Sequence, residues 1–197
     1  MLTLYHAAPS RSSRIITLID EMGIGDKITV KHVTIPRQDG SGQRDPSNPH
    51  PEGKVPCLDH DGTLISETGA VMLYLLDMFP TDLAPKIGEA DRGAFLTWMY
   101  WYGSVMEPVL IHTYIGADYP ALMATFRDHA AVIARIHAAL EKGPWLLGDR
   151  YSAADLLVHS PYVWFAQMMP DDPLIVDWVA RCAARPANQR TKALDAA

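Results

Sequence analysis

The sequence predicts an α/β domain over residues 1–80, a linker at 81–88 and an all-α helical domain over residues 89–197. Three observations carry that reading. The first 33 residues alternate strand, helix and strand at the spacing of a βαβ unit, which implies parallel pairing. A Val-Pro loop, an Asp-Gly hairpin and a helix start follow between Gly53 and Val71. Beyond Gly88 no strand pattern recurs, and Ser152-Ala153-Ala154-Asp155 has the spacing of a helix capping box.

Leu2-Thr3-Leu4-Tyr5-His6 reads as the first strand. Ala7-Ala8-Pro9-Ser10 is a loop, after which Ser12 or Ser13 is placed to cap a helix with the apolar stripe Ile15, Ile16, Ile19 and Met22, ended by Gly23. Ile28 to Val33 is the second strand. From Pro36 to Pro51 the chain is polar and rich in Gly, Ser and Pro, the composition of a surface loop. Pro56 forces Val55 into an extended conformation, and His60-Asp61-Gly62-Thr63 turns one short strand into the next. Ser66 marks the start of a helix whose apolar face is Ala70, Val71, Tyr74, Leu75 and Met78. Pro80, Pro85 and Gly88 punctuate the linker. The periodicity beyond it predicts helices at about 90–117, 120–142, 152–168 and 173–184. Tyr151 and Leu156 stand at staple spacing about the capping box, so Asp155 is read as a cap and not as a catalytic acid.

With 197 residues, 48% hydrophobic and 20% charged, the chain has an ordinary globular composition. Its net charge of −6 argues against a nucleic-acid partner. The longest uncharged run, Leu156 to Pro170, is too short to span a membrane. Cys57 and Cys182 are too few for a disulfide framework, and Met1 to Tyr5 lacks the basic and apolar regions of a signal peptide, so a cytoplasmic protein is expected. The eight histidines show no metal-ligand spacing, so no metal is expected. Without a Cys-x-x-Cys at the first helix, Cys57 and Cys182 are read as core.

The candidate binding edge lies in the Val-Pro to helix segment. Val55 offers backbone donor and acceptor groups beside a proline that cannot close a ladder. Glu67 offers a carboxylate for an ammonium; Thr68 and the N–H groups of the helix start suit a carboxylate. A ligand with a cysteinyl backbone and a zwitterionic amino-acid end fits all three.

Val55-Pro56, the Asp-Gly hairpin and Glu67-Thr68 at this spacing resemble the cytosolic glutathione transferases, of theta/beta-like bacterial type, and the βαβ-ββα order is thioredoxin-like. The resemblance implies a cis Pro56 and an acid-hydroxyl pair that holds the γ-glutamyl end of glutathione. Thr68 stands where the family usually has Ser. Lys54 stands where family members contact the glycyl carboxylate. The stretch from Leu146 to Asp155 resembles the family's helical-domain start. Glutathione, as co-substrate, must be bound as thiolate, and a hydroxyl between the first strand and helix is the donor that chemistry needs. Ser10 matches the catalytic serine of theta-like members; alignment with the zeta class makes it Ser12; Ser13 is a third hydroxyl in the loop, and the cysteine that a beta-class member places here is absent. Tyr5 is read as a packed strand aromatic. An acceptor site for a small apolar electrophile is expected between the domains, at Tyr102 and Met106. The implied activity is conjugation of glutathione to hydrophobic electrophiles, or peroxide reduction, by a homodimer. A zeta-like isomerase using Arg11 and Arg14, and a non-catalytic binding protein of the same fold, are the alternatives.

Overall fold

The computed structural model describes residues 1–196. They form two compact units, one of Met1–Thr81 together with the stretch from Pro186 onward, the other Asp82–Arg185. The first unit is thioredoxin-like. Its elements are β1 (Leu2–His6), α1 (Ser13–Met22), β2 (Ile28–His32), β3 (Cys57–His60), β4 (Thr63–Ser66) and α2 (Thr68–Met78). The sheet order is β2-β1-β3-β4, with β1 parallel to β2 and antiparallel to β3, and β3 antiparallel to β4. The Asp61-Gly62 turn has both residues at positive φ, 50° and 89°, the conformation that two-residue hairpins require.

α1 buries Ile15, Leu18, Ile19 and Met22, and Gly23 closes it in the left-handed region at φ 65°. Fully burying a side chain such as Leu18 contributes about 2 kcal/mol. Leu4, Leu58, Val71, Met72 and Leu75 complete the core of this unit. α2 turns Val71, Met72, Leu75 and Leu76 inward; Tyr74, expected on its apolar face, instead reaches His60, its hydroxyl 2.5 Å from Nδ1.

The second unit is helical: α3 (Arg92–Trp101), α4 (Glu107–Tyr114), α5 (Pro120–Phe126), α6 (His129–Leu140), α7 (Ala153–Trp164) and α8 (Pro173–Ala183). The helix expected at 90–117 is one path with a π-turn at Tyr102–Met106, where the Glu107 N–H donates to the Tyr102 carbonyl. Pro108 follows immediately, and it has no N–H to continue the ordinary ladder. The expected 120–142 helix is broken at Arg127, at φ 68°, after which Asp128 caps α6 by accepting from the Ala131 N–H at 2.8 Å. The stretch expected as a helix to 168 leaves the α conformation after Trp164.

The capping box at Ser152 is present. Asp155 is fully buried and accepts from the backbone N–H groups of Leu146 and Ser152 (both 2.9 Å), the Ser152 hydroxyl (3.1 Å) and the Trp178 indole N–H (3.0 Å). Burial pushes its carboxyl up, and these four donors pull against that. Residues read as a linker are pinned to the same corner. The Ala153 N–H donates to the Leu83 carbonyl at 2.8 Å, and Arg150 donates to the carbonyls of Asp82 and Ala84.

A final helix, α9 (Pro186–Asp195), departs from the assignment of 89–197 to the helical domain: it packs on α1 of the first unit. The buried Thr17 and Thr191 hydroxyls meet at 2.9 Å, and Arg190 Nε reaches an Asp20 carboxylate oxygen at 2.6 Å. Among the described residues no helix is long and apolar enough to cross a membrane.

Replacing Asp155 by Ala leaves four donors in the buried interior without their acceptor. Asp155→Ala is expected to lower the unfolding free energy by on the order of 3 kcal/mol, measured by denaturant titration.

Candidate functional site

Strand register assembles the site. Tyr5 pairs with Cys57, and Cys57 with Ser66, across three neighbouring strands. The chain immediately beyond each of these positions therefore lies at one end of the sheet: His6 to Ser12 after β1, Val55-Pro56 before β3, and Glu67-Thr68 after β4. The Val55–Pro56 bond is cis, as the resemblance implies. Val55 buries its side chain with Ala7 and Val33, with Tyr5 and Ile35 packed against them. Its peptide N–H and C=O have no hydrogen-bond partner among the described residues.

Glu67 occupies the corner between β4 and α2 at φ 70°, ψ 126°. That conformation is sparsely populated for a residue with a Cβ and costs on the order of 1–3 kcal/mol. Its carboxylate takes no hydrogen bond among the described residues. Thr68 opens α2 and is nearly buried, beside backbone N–H groups that the helix leaves unpaired. Lys54 is exposed and ion-paired with Glu52, whose carboxylate raises the affinity of the ammonium for its proton.

The three serines have distinct roles. Ser12 holds the N-cap position of α1 but makes no capping bond with its side chain. Its hydroxyl is fully buried, 2.7 Å from His6 Nδ1 and 2.7 Å from the Ser10 hydroxyl, and accepts from the Ala7 N–H at 3.2 Å. Ser10 is half-buried, and its Oγ also accepts from the Ser12 N–H at 3.1 Å. Ser13 Oγ accepts from the Ser10 N–H at 3.3 Å. Ser10 and Ser13 are thus both part-exposed, and of the two it is the Ser10 hydroxyl that is bonded to the buried Ser12 hydroxyl behind it. His6 is buried; its Nε2 lies 3.9 Å from an Asp195 carboxylate oxygen, and its ring meets His32 edge-on at 5.4 Å. Burial lowers the affinity of His6 for a proton, Asp195 raises it and His32 lowers it.

Sequence reading missed several residues that shape this site. Arg37 donates to the carbonyls of Pro9 (2.9 Å) and Ala8 (2.7 Å), holding the serine loop from 28 and 29 residues away. Asn48 donates to the Lys54 carbonyl at 3.1 Å, and Asn48 and His50 fold the loop ahead of Val55. The His50 Nδ1 accepts from the Glu52 N–H at 3.0 Å. His6 carried no signal beyond its place in a strand.

Other candidates have different surroundings. Cys57 is fully buried, and burial pushes its thiol up, the surroundings of a structural cysteine. Tyr5 is a packed strand aromatic under the Lys31 ammonium, 5.3 Å from the ring centroid. Arg14 is buried and Arg11 exposed. Tyr102 and Met106, expected to line an acceptor pocket, are core residues of the helical unit: Met106 has no exposed surface, and the Tyr102 hydroxyl donates to Glu107 at 3.0 Å. The helical unit does hold an open cavity of about 470 Å³ lined by His112, Thr113, Met123, Asp128 and His129, which includes neither. No cluster of metal-ligating side chains occurs among the described residues.

Comparison with known proteins agrees with this layout. Residues 4–84 match the family model of the glutathione S-transferase N-terminal domain, and residues 102–186 that of the C-terminal domain. Over 155 residues the chain is 29% identical to the disulfide-bond oxidoreductase YfcG of Escherichia coli, covering 70% of this chain and 71% of that protein. A glutathione S-transferase from Actinobacillus pleuropneumoniae superposes with a TM-score of 0.80 at 21% identity, over 99% of this chain and 93% of the other. A theta-class glutathione S-transferase from Xanthomonas axonopodis pv. citri, solved with glutathione bound, superposes with a TM-score of 0.71 at 25% identity, over 96% of both chains.

The strained corner yields a test that separates folding from binding. Glu67→Gly relieves the backbone and is expected to stabilise the protein by about 1 kcal/mol, seen as a higher thermal midpoint, while removing the site's carboxylate.

Proposed function

Because the chain belongs to the glutathione S-transferase family, we propose that it binds glutathione at the end of the sheet where Ser10, Val55 and Glu67 converge, and activates the thiol for attack on a small apolar electrophile. The observation that carries this reading is the convergence itself. Val55 presents an unpaired peptide edge beside a cis proline, which suits the backbone of a cysteinyl residue. Glu67 suits the γ-glutamyl ammonium; Thr68 and the N-terminus of α2 suit its carboxylate. Lys54, swinging from Glu52, suits the glycyl carboxylate.

Ser10 then faces the sulfur. Lowering a thiol pKa from about 8.5 by two units requires about 2.7 kcal/mol of preference for the thiolate. One hydrogen bond to a charged acceptor supplies about 1.5–3 kcal/mol, and a helix N-terminus a further 0.3–1. The Ser10 hydroxyl and the start of α1 therefore meet the requirement without a metal or a protein nucleophile. The thiolate attacks an electrophilic carbon, forming the C–S bond as the leaving group departs with its electron pair. With a peroxide it attacks oxygen and cleaves the O–O bond; a second glutathione then displaces hydroxide from the resulting sulfenic acid to give the disulfide. A disulfide sulfur is a third electrophile of the same kind, and the similarity to a disulfide-bond oxidoreductase supports assaying it.

Ser10→Ala is expected to leave the glutathione Kd within about threefold, to abolish the ultraviolet absorbance of bound thiolate at neutral pH, and to lower kcat/KM for an activated aryl halide by about a hundredfold. Calorimetry, spectroscopy and steady-state kinetics read the three. Glutathione bound by the wild type without thiolate would point instead to a carrier or regulator of the same fold, and no binding at all would overturn the glutathione reading.

A further inference from the structure

We propose that His6 is the positioning residue that sets the polarity of the serine pair, so that the thiol proton of glutathione and a proton on His6 Nδ1 are alternatives exchanged through Ser10 and Ser12. This rests on the glutathione reading above and adds to it a fate for the proton.

The argument is a count of protons and lone pairs. A serine hydroxyl has one proton to give and two lone pairs to accept with. One lone pair of Ser12 Oγ is taken by the Ala7 N–H. What remains, one proton and one lone pair, must serve its two 2.7 Å neighbours, His6 Nδ1 and Ser10 Oγ, so Ser12 donates to one and accepts from the other. Ser10 is constrained in the same way. The Ser12 N–H occupies one of its lone pairs, leaving one proton and one lone pair for Ser12 Oγ and the ligand. The two hydroxyls can therefore point only in concert. Either both donate toward His6 and Ser10 accepts from the ligand, or both donate toward the ligand and His6 Nδ1 supplies the proton at the far end.

The first arrangement matches a thiol and the second a thiolate. In passing between them, the S–H bond breaks as Ser10 gains that proton, Ser10 passes its own to Ser12, and Ser12 passes its own to Nδ1. No proton leaves the protein, and Ser10 ends by donating to the sulfur it has deprotonated. His6 is placed to be the terminus. Burial holds it neutral in the free protein, and an Asp195 carboxylate oxygen 3.9 Å from Nε2 favours the tautomer protonated there, with Nδ1 bare. The groups that face it are Asp195 from α9, His32 from β2 at 5.4 Å between ring centroids, and Ser12 from the loop before α1. Once Nδ1 gains the proton, the imidazolium stands between Asp195 and the new thiolate, and both anions favour it.

The test uses the whole chain, glutathione, and the variant His6→Asn, whose side-chain amide keeps a hydrogen-bonding group where Nδ1 stands but cannot take up a proton. Glutathione is titrated calorimetrically in buffers of different ionisation enthalpy, with ultraviolet absorbance reporting the thiolate formed. The wild type is expected to release well under one proton per thiolate. His6→Asn is expected to release close to one, with its thiolate midpoint raised by about one pH unit and its glutathione Kd little changed. Equal release by both proteins, or wild-type behaviour of His6→Asn throughout, would reduce His6 to a packing role and overturn the proposal. Nitrogen-15 NMR of the wild-type imidazole supplies a readout that needs no variant: Nδ1 must gain a proton as glutathione ionises, and a bare Nδ1 in the thiolate complex would equally overturn it. A wild type that binds glutathione without ionising it overturns the thiol-activation reading and this inference with it, whereas ionisation with full release to buffer overturns this inference alone.

Discussion

The pairing of Tyr5 with Cys57 and of Cys57 with Ser66 is the constraint on which the site depends. Side chains alternate along a strand, so a slip of one residue in either ladder would turn Leu4 and Leu58 out of the core and carry Val55 and Glu67 away from the serine loop. The register is held by what those slips would expose. Leu4, Cys57 and Leu58 are fully buried, and a one-residue error forfeits several kcal/mol of apolar burial. The site is therefore aligned by the core of the sheet, and its own residues are left to serve binding. Glu67 can hold a costly backbone conformation and Val55 can leave its peptide groups without partners because neither is needed to keep the strands in place.

Behind that edge the polar groups are arranged with few alternatives. Ala7, Ser12 and Ser10 form a short chain of donors and acceptors in which each backbone N–H removes a choice from the next hydroxyl. Arg37 fixes the loop from outside by binding two successive carbonyls. On the glutathione reading proposed above, the electrostatic assistance a thiolate needs is small, a few kcal/mol, within reach of one hydroxyl and one helix start provided neither must reorganise when the charge appears.

What could be read from the sequence was local. Val-Pro, Asp-Gly, Glu-Thr and Ser-x-x-Asp each fix a backbone conformation within a few residues, and the β-strands, the hairpin, the cis proline and the capping box stand where those signals put them. Interactions between distant segments left no such trace. Arg37 reaches back across 28 residues, Asp195 approaches His6 from the other end of the chain, and α9 carries too weak an apolar stripe to announce which unit it joins. Tyr102 and Met106 lie buried in the helical unit, and an apolar helical stripe in sequence does not say which of its residues pack inward and which line a cleft. Ser12 was weighed against Ser10 on alignment alone, whereas burial is what distinguishes them.

The return of α9 to α1 also orders events during synthesis. Residues 1–81 leave the ribosome first and carry every strand of the sheet, yet the face of α1 around Thr17 and Asp20 receives its cover only when residues 186–195 emerge. At translation rates of about 5–20 residues per second, the intervening stretch keeps that face uncovered for several seconds or more. In that interval the helical unit, whose segments are contiguous from Asp82 to Arg185, can complete its own core, so the sheet-bearing unit starts before it and is completed after it.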